Sequence, residues 1–210
     1  MNLALAGLSY GITVVALVLL AVRTKALIGI YKKGQPDPTR SNDKSQRLKM
    51  AAGEIFGHTK MFNFTVVGLA HWFVMVGFVV LFGTLVTAYG QLIDPRFALP
   101  FIGHFWVYEY ITELIAWATG ISIVALIGIR QVTLRTNKRS RFAGSGNGKA
   151  YYVEATILLI VFCVIALRGL EGALSDETAW NRHFITTWFI AAMFKSMTLG
   201  QLESWIQIVA

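Results

Sequence analysis

Cysteine is almost missing from these 210 residues: there is one, Cys163. A single thiol builds neither an iron–sulfur site, nor a tetrahedral zinc site, nor an internal disulfide, so it reads as a small apolar filler. Any transition metal would have to rely on histidine, of which there are four. Charge is scarce too, at 14% of residues, and acid is scarcer than base, with 11 Asp and Glu against 19 Lys and Arg. A hydrophobic content of 55% and a mean hydropathy of +0.58 exclude an ordinary soluble domain. No internal repeat and no soluble domain is visible. The glycine-rich stretch Gly144–Lys149 is not a phosphate loop, because position 143 is Ala and Ala150 follows the lysine where Ser or Thr is required. The sequon Asn63-Phe-Thr65 lies inside an apolar run and carries no glycosylation signal.

What the chain has is long apolar runs separated by basic loops. Nine basic residues lie between Arg23 and Lys60, and six lie between Arg130 and Lys149, a stretch without acid. Loops this basic stay on the cytoplasmic face and meet anionic lipid; nucleic acid is not the expected partner. The expected fold is an all-α polytopic transmembrane helix bundle with four clear spans, 3–22, 61–89, 111–129 and 151–174. The first span is followed rather than preceded by positive charge, so it reads as an uncleaved anchor with the N-terminus outside, in the plasma (inner) membrane. The second run is longer than the ~20 residues a bilayer needs, which implies tilt or projection. Segment 34–45 is a polar linker, and 46–60 is suited to an amphipathic helix.

The fifth element is weaker. Phe184–Met197 is short for a span and is interrupted by Lys195, so it is expected to lie along the interface. Glu203–Ala210 resembles the opening of a further span, and the chain is expected to be an incomplete or split polypeptide. Residues 184–210 are thus an interfacial segment and the start of another span, the alternative being a poorly hydrophobic C-terminal helix.

Among the histidines, His71 stands out because it lies mid-way along the second run. At a rise of about 1.5 Å per residue it sits roughly 15 Å into a ~30 Å hydrocarbon core. A polar ring at that depth needs a partner, and a haem iron suits neutral imidazole in a dry site. Gly68, Met75 and Phe78 share its helical face, and Gly68 leaves room for a porphyrin plane. The alternative is a histidine hydrogen-bonded between helices. His58, at the cytoplasmic boundary, is a second candidate haem ligand or else a solvated interfacial residue. His104 and His183 fall in outer loops, as interfacial residues or as the lining of a quinone mouth. Glu109 and Glu113 share one helix face as proton carriers or snorkelling boundary residues, and Arg168 and Glu171 are spaced to pair at i, i+3.

Five short motifs carry a resemblance: Glu54-Ile-Phe-Gly-His-Thr-Lys-Met61, Gly68-Leu-Ala-His-Trp-Phe73, Ala88-Tyr-Gly-Gln-Leu-Ile-Asp-Pro95, Pro100-Phe-Ile-Gly-His104 and Tyr152-Val-Glu-Ala-Thr-Ile157. Together and in this order they resemble the membrane part of actinobacterial iron–sulfur-binding, heterodisulfide reductase-related proteins. That region is similar to the gamma subunit of respiratory nitrate reductase, a cytochrome b-type protein that takes electrons from quinol. The resemblance implies haem b with His71 as an axial ligand and His58 as a weaker match. It also implies quinone as a partner, and iron–sulfur clusters on a reductase domain or subunit that this chain does not contain. The partner histidines of the family's next span are missing too.

The expected function is therefore a membrane electron-transfer subunit or fragment of a redox enzyme, a b-type haem relay between the quinone pool and cytoplasmic iron–sulfur clusters. Catalysis proper would lie elsewhere, and an oligomer or complex is expected. The alternative is a cofactor-free membrane transporter or structural subunit, with Arg168, Glu171, Glu109 and Glu113 on its path.

Overall fold

A computed structural model describes residues 3–35, 37, 39, 42–136 and 147–210. Lys138, Arg139 and Arg141 of the second basic loop lie outside the described residues. Among those described there is no strand, and the protein is an all-helical, membrane-embedded bundle. It divides into two compact units, Leu3–Lys60 and the chain from Met61 to Ala210.

In the first unit, α1 (Leu3–Tyr31) is a single apolar helix of 29 residues, almost wholly exposed, which alone satisfies the length and hydropathy of a span. The helix continues past the expected end at Val22, carrying Arg23 and Lys25 on its last turns. At ~1.5 Å per residue its 29 residues exceed the ~30 Å hydrocarbon core. The amphipathic segment is also helical: α2 spans Lys44–Gly57. Arg47 ties its start to the linker, donating to the Thr39 and Asn42 carbonyls at 2.7 and 2.8 Å.

The second unit holds two further helices long and apolar enough to span a membrane, and a bent helix pair that reaches that length only when taken together. The run 61–89 is not one straight helix. A 3₁₀ turn at Met61–Asn63 leads into α3 (Thr65–Val80) and α4 (Phe82–Gln91), which are bent by 42° across Leu81. The bend has a local cause. Thr84 donates its hydroxyl to the Leu81 carbonyl at 2.7 Å and Thr87 to that of Gly83 at 3.2 Å, side-chain bonds that bend helices, while Gly77 and Gly83 flank the break. The next two spans are long: α5 covers Trp106–Thr136 and α6 covers Asn147–Leu174.

Helix α5 is inverted relative to a soluble helix. Its inward stripe is Glu109, Thr112, Glu113, Ala116, Thr119 and Ser122, whereas Ile111, Leu114, Ile121 and Val124 are exposed. Small and hydroxylated residues let helices approach in lipid, where apolar side chains gain nothing by leaving an apolar solvent. Helices α3 and α5 approach closely at Gly77, where a Cβ would collide with the Thr119 side chain. Thr119 itself donates to the Phe73 carbonyl at 3.3 Å. Where α3, α5 and α6 meet, Val74, Ile123, Ile157 and Val161 form one apolar layer and Leu81, Ala116 and Val164 the next.

The C-terminal segment folds back onto this bundle. After a short helix α7 (Trp188–Met193), a capping box at Thr198 and Gln201 starts α8 (Leu199–Val209). Leu202 and Ile206 of α8 pack against Leu167, Leu170 and Ala88, and Gln207 donates to the Leu92 carbonyl at 3.1 Å. Here the structure gives 199–209 a definite amphipathic role: one face is buried on α6, while Leu199, Trp205 and Ile208 are exposed.

Candidate functional site

The end of the bundle where α4 stops, α5 begins and α6 stops carries a cluster of charges. Its centre is Arg168 of α6, whose side chain is 11% exposed. Arg168 donates to the Glu171 carboxylate at 2.7 Å and to the His183 carbonyl at 2.7 Å. Its guanidinium also lies 3.6 Å from Glu109 and 3.6 Å from Glu113, and 4.5 Å from the Phe184 ring centroid. An arginine this deep persists only when paired, and here three carboxylates and an aromatic face surround it.

Each carboxylate has its own set of donors. Glu113, 2% exposed, accepts from the Thr186 amide at 2.8 Å, the Thr186 hydroxyl at 2.6 Å and the Thr187 hydroxyl at 2.7 Å. Trp117, one turn further along α5, donates to the same Thr186 hydroxyl at 3.0 Å. Glu171 accepts from the Gln91 amide at 2.6 Å. Glu109, 4% exposed, meets Nδ1 of His183 at 2.5 Å. The loop 183–187 is thus pinned to α5 by two glutamates one turn apart. Neither glutamate snorkels to water, which corrects the boundary role considered for them.

Beside the cluster opens a cavity of about 510 Å³. Its wall includes Gln91, His104, Tyr108, Glu109, Arg168, Glu171 and His183 as polar members and Phe97, Val164, Leu167 and Phe184 as apolar ones. Three buried polar atoms of this wall have no hydrogen-bond partner: Oε1 of Gln91, the Tyr108 hydroxyl and Nε of Arg168. A ligand-sized space with apolar walls and a few convergent polar groups has the form of a binding site. The expected i, i+3 pairing of Arg168 and Glu171 is present, and both loop histidines reach the cavity.

The two candidate haem ligands lie elsewhere. His71 is on the exposed side of α3, with Phe78 two turns along on the same exposed side. The room expected beside Gly68 is taken by the chain itself, since the backbone of Met61 and Phe62 lies where a Cβ would go. His58 caps the C-terminus of α2 in the left-handed region, with its Nδ1 2.8 Å from the Ile55 carbonyl. Among the described residues no three His, Cys, Asp or Glu side chains converge as a metal site, and Cys163 is a free, partly buried thiol.

Gln91, Tyr108, Thr186 and Thr187 were not legible as site residues. Gln91 closes an apolar run, and the two threonines follow a histidine in a loop, so no spacing rule points to them. The only signal is the buried acid on α5: Glu113 inside an apolar helix requires donors from somewhere. Comparison with protein-family models, with curated proteins and with solved structures finds no match to this chain.

Proposed function

We propose that the chain is the membrane electron-transfer part of a redox enzyme and that its cavity exchanges quinol with the membrane. The observation that carries this reading is the Glu109–His183 pair, 2.5 Å apart, on the wall of a cavity of about 510 Å³ at the ends of the spans. Quinol releases protons when it releases electrons, so its site needs an acceptor within hydrogen-bond reach, a donor for the quinone carbonyl and an apolar flank for the ring. Glu109 and His183 supply the acceptor, the unpartnered Tyr108 hydroxyl a donor, and Val164, Leu167 and Phe97 the flank. Arg168 holds Glu109 and Glu171 in place.

A b-type haem, when bound, would supply one-electron transfer. His71, on the exposed side of α3, would hold the haem iron. His58 remains the second candidate. Iron–sulfur clusters belong to a partner subunit or a further domain. In this reading the basic stretches 23–60 and 130–149 are cytoplasmic, the N-terminus is outside and the cavity opens near the outer face of the plasma membrane.

The test is saturable quenching of tryptophan fluorescence by a short-chain quinone analogue in the purified protein. Glu109→Gln or His183→Ala should weaken binding by roughly tenfold, the loss of one hydrogen bond to a charged group. Quenching that is not saturable, or that both variants leave unchanged, would contradict the proposal. A cofactor-free transporter or structural subunit is the second reading. It is favoured by the gathering of buried charge at Glu109, Glu113, Arg168 and Glu171 rather than around His71. A Soret band that sharpens on reduction separates the two.

A further inference from the structure

We infer that the Gln91–Glu171 corner of the cavity binds a small monovalent cation. This goes beyond the redox reading and holds equally for a transporter. Its first support is charge. The carboxylates of Glu109, Glu113 and Glu171 surround one guanidinium, and even a doubly protonated His183 leaves one negative charge over. A lone uncompensated charge in a low-dielectric site is costly, and one monovalent cation balances it. The other ionisable groups on the cavity wall do not: His104 is exposed, Arg96 is largely exposed and lies 3.6 Å from Glu203, and Glu177 adds a further negative charge.

The second support is independent of charge. Gln91 is 2% exposed and lines the cavity, yet its Oε1 has no partner while its amide nitrogen is committed to Glu171. The amide cannot turn round to cure this, because its oxygen would then face the carboxylate. The site therefore presents a buried acceptor, and on the wall of the same cavity the buried Tyr108 oxygen, also without a partner. Thr84 and Thr87 give their hydroxyl protons to helix carbonyls, which leaves lone pairs on two further oxygens of the same cavity. Neutral oxygens next to a carboxylate are the donor set of a hard cation or of an ammonium group. Sodium and a protonated primary amine share this chemistry.

The two sources are told apart by titrating the purified full chain in detergent with sodium or methylammonium chloride against choline chloride, at constant ionic strength and pH. The midpoint of thermal unfolding should rise saturably by several degrees with sodium or methylammonium, and the tighter of the two identifies the source. Gln91→Met, which keeps the side-chain shape and removes the acceptor, should raise the half-saturating concentration by about tenfold. Equilibrium dialysis of the unaltered protein with radiolabelled sodium and methylammonium should find one site per chain that choline does not displace. Three results would each overturn the inference: midpoints that move alike in every salt, a rise obtained only by acidifying in choline, or saturation unchanged in Gln91→Met.

Discussion

Arg168 and Glu113 set the energetics at the scale of single residues. Arg168→Met would leave Glu109, Glu113 and Glu171 facing one another without their cation, and breaking a buried pair in this way costs about 3–5 kcal/mol. Unfolding in a denaturing detergent should register that loss. Trp117→Phe should cost far less, about 0.5–1.5 kcal/mol, since it removes only the bond to the Thr186 hydroxyl and leaves Glu113 its three donors. If the two variants were equally destabilised, the guanidinium would not be the centre of the network. The Arg168–Glu171 pairing could be read from spacing alone, because i, i+3 neighbours meet on any helix. The contacts of His183 and Thr186 with α5 could not, because their partners lie more than 70 positions away in the chain.

Elements follow the same division between local and distant causes. The spans were legible because twenty apolar residues in a row have few alternatives to a membrane helix. The break at Leu81 was not, since it depends on which carbonyl the Thr84 hydroxyl chooses within a uniformly apolar run. Residues 203–210 are expected to open a further span; in the structure Leu199–Val209 is an amphipathic helix whose Leu202 and Ile206 pack against Leu167 and Leu170 of α6. Helix contact, rather than hydropathy, decides that segment. The Gly77–Thr119 approach gives a test at this scale. Gly77→Val should separate α3 from α5 at a cost of about 1–3 kcal/mol, and Thr119→Ala in the same chain should recover part of it. Purely additive losses would show that the two residues are not in contact.

At the scale of the whole molecule, buried charge and hydroxyl groups gather on the inward face of α5 and at the end of α6, while many aliphatic side chains face outward. That arrangement suits a chain embedded in lipid, and it concentrates polar function at one end of the bundle. The proposed orientation, with both basic stretches in the cytoplasm, rests on the 15 basic residues they hold. A cysteine introduced at Ser140 should therefore be protected from an impermeant thiol reagent in intact cells; its labelling would reverse the topology and place the cavity on the cytoplasmic side. The proposed electron transfer from quinol through this chain is tested by the reduced-minus-oxidised spectrum of membranes containing the chain, recorded after adding quinol. The account predicts a low-spin b-type signal that appears with the native chain, appears more slowly with Glu109→Gln and is lost in His71→Ala while membrane insertion is intact. An unchanged spectrum in His71→Ala would contradict it.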